Sequence, residues 1–207
     1  FSPDLSKVAY TKGNDLYYAD QSGEHRLTDN TNTEVVSGQA IARFEFGIVK
    51  GTFWSPDGTK LAFYEKDESQ VTNYALLDIS TKPATIDLIK YPMAGQKSEI
   101  PKVGVHNFDI GKTTYLVTSG EPDHYLTNLT WGPKNKTIYL AELNRDQNHL
   151  KLNSYSAKSG KFERTLFEEQ NEKYVQPEHG LYFLPNSDDE FLWYSERNGF
   201  NHLYRYK

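Results

Sequence analysis

Residues 53–64 read Phe-Trp-Ser-Pro-Asp-Gly-Thr-Lys-Leu-Ala-Phe-Tyr, and this stretch decides the fold. Its first half has the composition of a tight turn, because Pro56 presets its own φ, Asp57 can hydrogen-bond the backbone nearby and Gly58 accepts a positive φ. Its second half, residues 60–64, is apolar and aromatic, as β-strands are. The stretch therefore predicts a turn after which a new β-strand begins at once.

A unit of this kind, a turn with proline followed by two strands, occurs four times along the chain. The four prolines, separated by 53, 77 and 52 residues, are Pro3, Pro56, Pro133 and Pro185. The first strands are predicted at Lys7–Tyr10, Lys60–Tyr64, Thr137–Ala141 and Glu190–Tyr194. The second strands are predicted at Asp15–Tyr18, Asn73–Asp78, Leu150–Tyr155 and His202–Tyr206. The one long spacing predicts that residues 78–129 contain an additional hairpin or arm.

The repeated unit predicts an all-β fold, a fragment of a β-propeller with about four blades of four-stranded antiparallel sheets. Blades packed side by side bury their apolar faces against their neighbours, which limits exposed sheet edges. An aromatic content of 14% with only 37% hydrophobic residues also favours many half-exposed strands. Four units are few for a wide ring, so we expect part of a larger propeller. A β-sandwich or a β-solenoid with similarly spaced strands is the alternative.

Composition excludes several function classes. The net charge is -5 and no segment is rich in Lys and Arg, which argues against a nucleic-acid partner. No apolar run approaches the ~18 residues of a membrane span. Cysteine is absent and the six histidines are dispersed, so we predict no metal and no cofactor. No Gly-x-Ser-x-Gly elbow occurs, and the glycine pair at that spacing, Gly47 and Gly51, has Val49 in the middle. We therefore predict no catalytic residue in this chain.

Several stretches go beyond a generic blade pattern. They include Phe-Glu-Phe-Gly-Ile, Tyr-Pro-Met-Ala-Gly, Leu-Asn-Arg-Asp-Gln-Asn and Leu-Trp-Tyr-Ser-Glu-Arg-Asn-Gly-Phe-Asn-His-Leu-Tyr, which lie at residues 44–48, 91–95, 143–148 and 192–204. Together with residues 50–56 they resemble the N-terminal propeller of the dipeptidyl peptidase IV family, especially bacterial dipeptidyl and prolyl tripeptidyl peptidases. The resemblance spans nearly the whole chain.

The resemblance implies that residues 1–207 are part of an eight-bladed propeller, whose catalytic α/β-hydrolase domain is absent from this chain. The parent protein would be a serine-type exopeptidase that releases N-terminal dipeptides or tripeptides after proline. Its partners would be peptides with a free amino terminus, the C-terminal hydrolase domain of the same chain, and a second copy in a homodimer. Relatives of this type are usually exported, which implies a periplasmic or cell-surface location.

In this family a glutamate of the propeller binds the amino terminus of the substrate. Many relatives have two consecutive glutamates there, whereas this chain has Phe44 followed by Glu45, the only acidic residue of the segment. A carboxylate facing an ammonium group would reject substrates without a free amine. The alternative for Glu45 is a surface glutamate paired locally with Arg43 or Lys50.

The resemblance suggests two further substrate-binding residues. Tyr174 would be an aromatic residue lining the extended substrate pocket, or else an ordinary blade aromatic. Arg145 would contact substrate, or else belong to a strand-connecting turn with local hydrogen bonds.

Two other functions remain open at this point. A propeller that binds a protein or a glycan without catalysis would present an exposed apolar or aromatic patch instead of a carboxylate facing a tunnel. A parent protein that keeps the architecture but has lost its nucleophile is the other possibility.

Overall fold

The computed structural model describes residues 1–207 as seventeen β-strands and one short 3-10 turn, Ala42–Phe44. In chain order the first eight strands are β1 Val8–Lys12, β2 Asp15–Asp20, β3 Gly23–Arg26, β4 Val35–Ser37, β5 Thr52–Trp54, β6 Lys60–Asp67, β7 Asn73–Asp78 and β8 Thr85–Lys90. The others are β9 Ile100–Asn107, β10 Lys112–Tyr115, β11 Tyr125–Trp131, β12 Thr137–Leu143, β13 His149–Ser156, β14 Phe162–Gln170, β15 Tyr182–Phe183, β16 Phe191–Ser195 and β17 His202–Tyr206. None of its helical structure has the length and apolar character needed to cross a membrane.

The strands form four antiparallel sheets and one separate hairpin. The first sheet has the order β1-β2-β3, the third β11-β12-β13-β14 and the fourth β15-β16-β17. The second has the order β10-β9-β6-β4, and β5 also pairs with β6. The predicted all-β architecture is confirmed, although only the third sheet is a simple four-stranded blade and the first and fourth sheets have three strands each.

The prediction that Asn73–Asp78 is the second strand of the second unit is wrong. This segment is β7, which pairs only with β8, and together they form a two-stranded arm. The strand that pairs with β6 in place of the predicted one is β9, Ile100–Asn107. Apolar alternation correctly indicated a strand, but it carries no information about which strand becomes its partner. The predicted additional hairpin therefore exists and begins at Asn73.

The repeated turn is held by the same hydrogen bonds in the first two units. Ser55 Oγ donates to the Asp57 carboxylate at 2.6 Å and accepts from the Lys60 amide at 3.0 Å. In the same way, Ser2 Oγ donates to the Asp4 carboxylate at 2.6 Å and accepts from the Lys7 amide at 2.9 Å. Hydrogen bonds from Ser2 and Ser6 lower the pKa of Asp4 to about 2. Serine thus holds the turn in the first two units. In the third unit, where Gly132 precedes the proline, backbone hydrogen bonds alone close the turn, from the Gly132 amide to the Thr137 carbonyl at 2.9 Å and from the Asn135 amide to the Gly132 carbonyl at 3.0 Å.

The hydrophobic core lies between successive sheets. One cluster contains Leu16 of the first sheet with Leu61 and Phe63 of the second. The largest cluster joins the second and third sheets, where the Trp131 indole N–H also donates to the Phe53 carbonyl at 2.9 Å. A third cluster joins the third and fourth sheets. Each sheet thus buries its faces against its neighbours in series, as propeller blades do.

Gly104 allows close packing within the second sheet. It lies opposite Phe63 on β6 and opposite Tyr115 on β10. A Cβ atom at Gly104 would lie 2.4 Å from the Phe63 ring, which is completely buried. The absence of a side chain here lets the Phe63 ring cover β9.

We expect Gly104→Ala to lower the free energy of unfolding by about 1–3 kcal/mol, because the added methyl group overpacks a buried ring. Lys102→Ala, at an exposed residue of the same strand, should change it by less than about 1 kcal/mol, since it removes only a long ion pair with Glu65, at 3.9 Å. Denaturant unfolding of the full-length protein measures both. Equal midpoints for the two variants would contradict the packing described for Phe63.

Candidate functional site

Glu45 lies on a loop, residues 38–51, that interrupts one edge of the second sheet. The strand before the loop, β4, and the strand after it, β5, pair with the same edge of β6. Between them the Gly38 amide donates to the Tyr64 carbonyl at 2.7 Å, and the Tyr64 amide donates to the Gly51 carbonyl at 2.9 Å. The loop therefore leaves and rejoins the sheet at a single residue of β6.

The loop is anchored by three apolar side chains. Ile41 and Ile48 are buried in the core between the second and third sheets, and Phe46 is buried in the core between the third and fourth. At the base, a Cβ atom on Gly51 would lie 2.2 Å from the backbone of Gln39, so only glycine lets the two ends approach. With these residues turned inward, Glu45 is left exposed.

The backbone before and after Glu45 is left-handed. Ala42, Arg43 and Phe44 have φ values of 51°, 51° and 68°, and Phe46 has a φ of 56°. Non-glycine residues rarely adopt this conformation, and consecutive ones persist only where the surrounding structure over-determines them. Such strained segments cluster at functional sites. The turn reverses the chain so that Glu45 follows it in an extended conformation, with φ -66° and ψ 166°.

Glu45 lines a small cavity of about 180 Å³. The lining residues come from the loop, from the β12–β13 hairpin and from the connection between the third and fourth sheets: Glu45, Phe46, Gln147, Tyr174, Val175 and Gln176. Glu45 is the only charged residue among them. The cavity thus presents one carboxylate among neutral side chains.

The Glu45 carboxylate has no partner within the chain. It takes part in none of the ion pairs of the structure. The two cations that could neutralise it lie over aromatic rings instead: the Arg43 guanidinium is 5.0 Å from the Tyr91 ring centroid, and the Lys50 ammonium is 5.1 Å from that of Phe53. The alternative of a local surface ion pair for Glu45 is therefore not observed.

Tyr174 lines the same cavity as Glu45 and is half exposed. Gly47 brings the two segments together, because its α-carbon faces the backbone of Glu178 so closely that a Cβ atom would lie 2.1 Å from the Glu178 carbonyl oxygen. The Val175 amide also donates to the Gln147 carbonyl at 2.7 Å. These contacts join the loop, the hairpin tip and the connecting segment into one wall.

Arg145 does not line this cavity. Its guanidinium lies 5.1 Å from the Tyr125 ring centroid and donates to the Tyr125 hydroxyl. The Tyr125 ring in turn packs on Phe46, with centroids 4.9 Å apart. Arg145 thus contacts Tyr125, which packs on Phe46, the residue that follows Glu45. From the same turn it is Gln147, with a left-handed φ of 57°, that lines the cavity, and sequence reasoning missed it.

A second cavity, of about 350 Å³, adjoins the first and shares Tyr174, Val175 and Gln176 with it. Residues from the stretch 193–199 form its opposite wall. There Glu169 accepts hydrogen bonds from Ser195 at 2.8 Å and from Arg197 at 2.7 Å. The Trp-Tyr-Ser-Glu-Arg stretch is therefore both part of a blade and part of a cavity wall next to Glu45.

The model of one protein family, described as the dipeptidyl peptidase IV (DPP IV) N-terminal region, matches residues 1–207. This chain belongs to the DPP IV N-terminal region family. The resemblance inferred from the sequence is thereby confirmed, and the serial sheets are blades of the propeller of this family.

Solved structures with the DPP IV fold superpose closely on the whole chain. One is a crystal structure from Bacteroides ovatus, provisionally assigned as a dipeptidyl aminopeptidase IV, with a TM-score of 0.92 and 44% identity. Another is dipeptidyl peptidase 4 of Porphyromonas gingivalis, with a TM-score of 0.89 and 26% identity. The chain is fully covered in both cases and spans 29% and 30% of those proteins.

A curated relative is dipeptidyl peptidase 4 of Felis catus, 26% identical over the whole chain, which spans 30% of its length. The sequence therefore corresponds to less than a third of these three relatives.

We expect Gly47→Ala to separate the Glu45 loop from the segment that carries Tyr174, because the new Cβ atom would meet the Glu178 carbonyl. Gly95→Ala is the matched control: its φ of 76° is as unfavourable for alanine as the 68° of Gly47, but it faces open space. Hydrogen exchange of residues 174–178 in the full-length protein should be faster in Gly47→Ala only. The same exchange in both variants would show that the close approach is unimportant.

Proposed function

We propose that this chain is the gating and substrate-binding propeller part of a serine exopeptidase that releases N-terminal dipeptides or tripeptides after proline, and that Glu45 binds the free amino terminus of the substrate. The observation that carries the proposal is the unpaired Glu45 carboxylate, the only charge in its cavity. The names of the relatives, dipeptidyl peptidases from a bacterium and from a mammal, support the reaction class.

The chemistry of the cavity suits an ammonium group. An accessible carboxylate with no cation beside it can form a charge-assisted hydrogen bond with an ammonium group that enters the cavity. A substrate whose amino terminus is blocked brings no charge and leaves the carboxylate unpaired, so binding is weaker. An anchored amino terminus would also determine how many residues lie between it and the cleaved bond.

The other two predicted residues take different parts in this proposal. Tyr174 lines the cavity and offers an aromatic face and a hydroxyl group to the first residues of the peptide. Arg145 does not contact the substrate in this proposal; it holds Tyr125 against Phe46, which is next to Glu45. Gln147 adds an amide to the cavity wall, since a substrate ammonium has three protons to donate and Glu45 cannot satisfy them all with good geometry.

The domain organisation follows from the same proposal. Residues 1–207 form part of the propeller, and an α/β-hydrolase domain outside this chain supplies the Ser-Asp-His triad. The predicted periplasmic or cell-surface location stays a prediction.

Replacing Glu45 should remove the anchor. We expect Glu45→Gln to lower kcat/KM for a glycyl-prolyl chromogenic substrate by about 10–100-fold in the full-length protein, since hydrogen bonds to charged groups contribute about 1.5–3 kcal/mol. The same substrate with an acetylated amino terminus should be hydrolysed poorly by wild type and variant alike.

Glu172→Gln is the matched control, because it removes the same charge from an exposed residue close to Tyr174 that does not line the cavity. It should retain wild-type kcat/KM. Full activity of Glu45→Gln would move the amine anchor elsewhere, and a wild-type protein with no peptidase activity would favour a non-enzymatic propeller that binds protein or glycan.

The arm favours self-association through an apolar surface. Its large hydrophobic side chains are exposed, and Leu77 and Ile86, paired across the two strands, are 65% and 64% exposed. A contiguous exposed apolar patch of this kind marks an interaction site. A second copy of the same protein is the partner we propose for it.

Leu77→Ser combined with Ile86→Ser should therefore weaken the dimer of the full-length protein by at least about tenfold, because burying one large apolar side chain contributes about 1.5–3 kcal/mol. Sedimentation velocity over a range of concentrations measures the dissociation constant. Ile110→Ser, equally exposed at 67% but outside the arm, is the control and should leave it unchanged. A dimer that the arm variant does not affect would place the contact elsewhere.

A further inference from the structure

The left-handed turn before Glu45 is held by a residue far away in sequence. The Ala42 amide donates to the Glu99 carboxylate at 2.6 Å, across 57 residues of sequence. Ala42 is the first of the three left-handed residues of the turn. The other bonds of the turn, from the Phe44 amide to the Ile41 carbonyl and from the Glu45 amide to the Ala42 carbonyl, are local. Glu99 thus provides the long-range hydrogen bond of this turn.

Glu99 is itself held in place by a buried group of charges. Its side chain is 9% exposed, and its second carboxylate oxygen lies 3.7 Å from the Lys66 ammonium. Lys66, with a side chain 10% exposed, also pairs with Glu68 at 2.9 Å. Buried charges are tolerated when they are paired and hydrogen-bonded, and Glu99 satisfies both conditions by contacting Lys66 and the Ala42 amide.

The supporting residues come from the rigid part of the second sheet. Lys66 lies on β6, which carries the loop at Tyr64, and Glu99 immediately precedes β9, the neighbour of β6. Because Lys66 is fixed on a paired strand and Glu99 adjoins one, the Glu99 carboxylate is oriented by the sheet. The loop is therefore attached to the second sheet at a third place, besides its two ends at Gly38 and Gly51.

We infer that Glu99 is a positioning residue: through its hydrogen bond to the Ala42 amide it holds the strained turn that points the Glu45 carboxylate into the cavity. The inference rests on the proposed function of Glu45. A left-handed turn of three non-glycine residues persists only when its surroundings over-determine it, and Glu99 supplies that constraint. Without it, the turn relaxes and Glu45 samples several directions, so the ammonium group of a substrate is bound less tightly.

Three variants of the full-length protein test this role. Glu99→Ala removes the acceptor. Glu99→Gln keeps an oxygen that can accept from the Ala42 amide, and Glu68 still neutralises Lys66. Glu68→Gln is the matched control, because it removes the other carboxylate on Lys66 but makes no bond to the turn.

Two measurements are made on each variant. Hydrogen exchange of a peptide covering residues 41–46, without substrate, reports the turn itself. KM and kcat for a glycyl-prolyl chromogenic substrate report the anchor. For Glu99→Ala we expect exchange and KM each to rise by about tenfold, because the Ala42 amide loses its acceptor and the turn relaxes. We expect kcat to stay within about twofold, because the loss concerns substrate binding. Glu99→Gln and Glu68→Gln should stay within about threefold of wild type in both.

The outcomes separate this inference from the proposed function. Unchanged exchange in Glu99→Ala overturns the inference whatever Glu45 does. A raised KM in Glu45→Gln with a normal KM in Glu99→Ala also overturns it and leaves the amine anchor intact. Faster exchange in Glu99→Ala with normal KM in both variants retains the contact to the turn but overturns its role in substrate binding, together with the proposed anchor.

Discussion

The structure depends on the pairing of two short strands, β4 and β5, with one edge of β6. Because both strands share that edge, the fourteen residues between them must leave the sheet and return opposite Tyr64. The burial of Ile41, Phe46 and Ile48 then determines which side of the loop faces the neighbouring sheets. Glu45 reaches a cavity at the boundary of the third and fourth sheets as a consequence of these two constraints, one in the backbone and one in the core.

The charge of the site follows from what surrounds the loop. Arg43 and Lys50 are close in sequence to Glu45, and each lies over an aromatic ring instead of pairing with it. Cation–π contacts of this kind contribute about 0.5–1 kcal/mol at exposed sites, comparable with an exposed ion pair, so the geometry of the loop can decide between them. An uncompensated carboxylate among neutral side chains is selective by charge, which is what a receptor for an amino terminus requires.

Much of the fold could be predicted from the sequence, because proline turns and apolar alternation are local signals. The first-strand predictions for the second and third units lie within β6 and β12, and His202–Tyr206 coincides with β17. The partner of Asn73–Asp78 could not be predicted, since pairing depends on how the intervening chain turns. Glu45 was identified by resemblance alone. The cavity around it, with Gln147, and the bond from Ala42 to Glu99 join residues distant in sequence, for which no local pattern exists.

The most direct test of the account is a crystal structure of the full-length protein with a peptide that has a free amino terminus and a proline at its second position. We expect the terminal nitrogen to lie within about 3 Å of a Glu45 carboxylate oxygen, as a charge-assisted hydrogen bond requires, with the first residue against Tyr174. A peptide whose amino terminus is bound by other groups, with the Glu45 carboxylate left in solvent, would contradict the account.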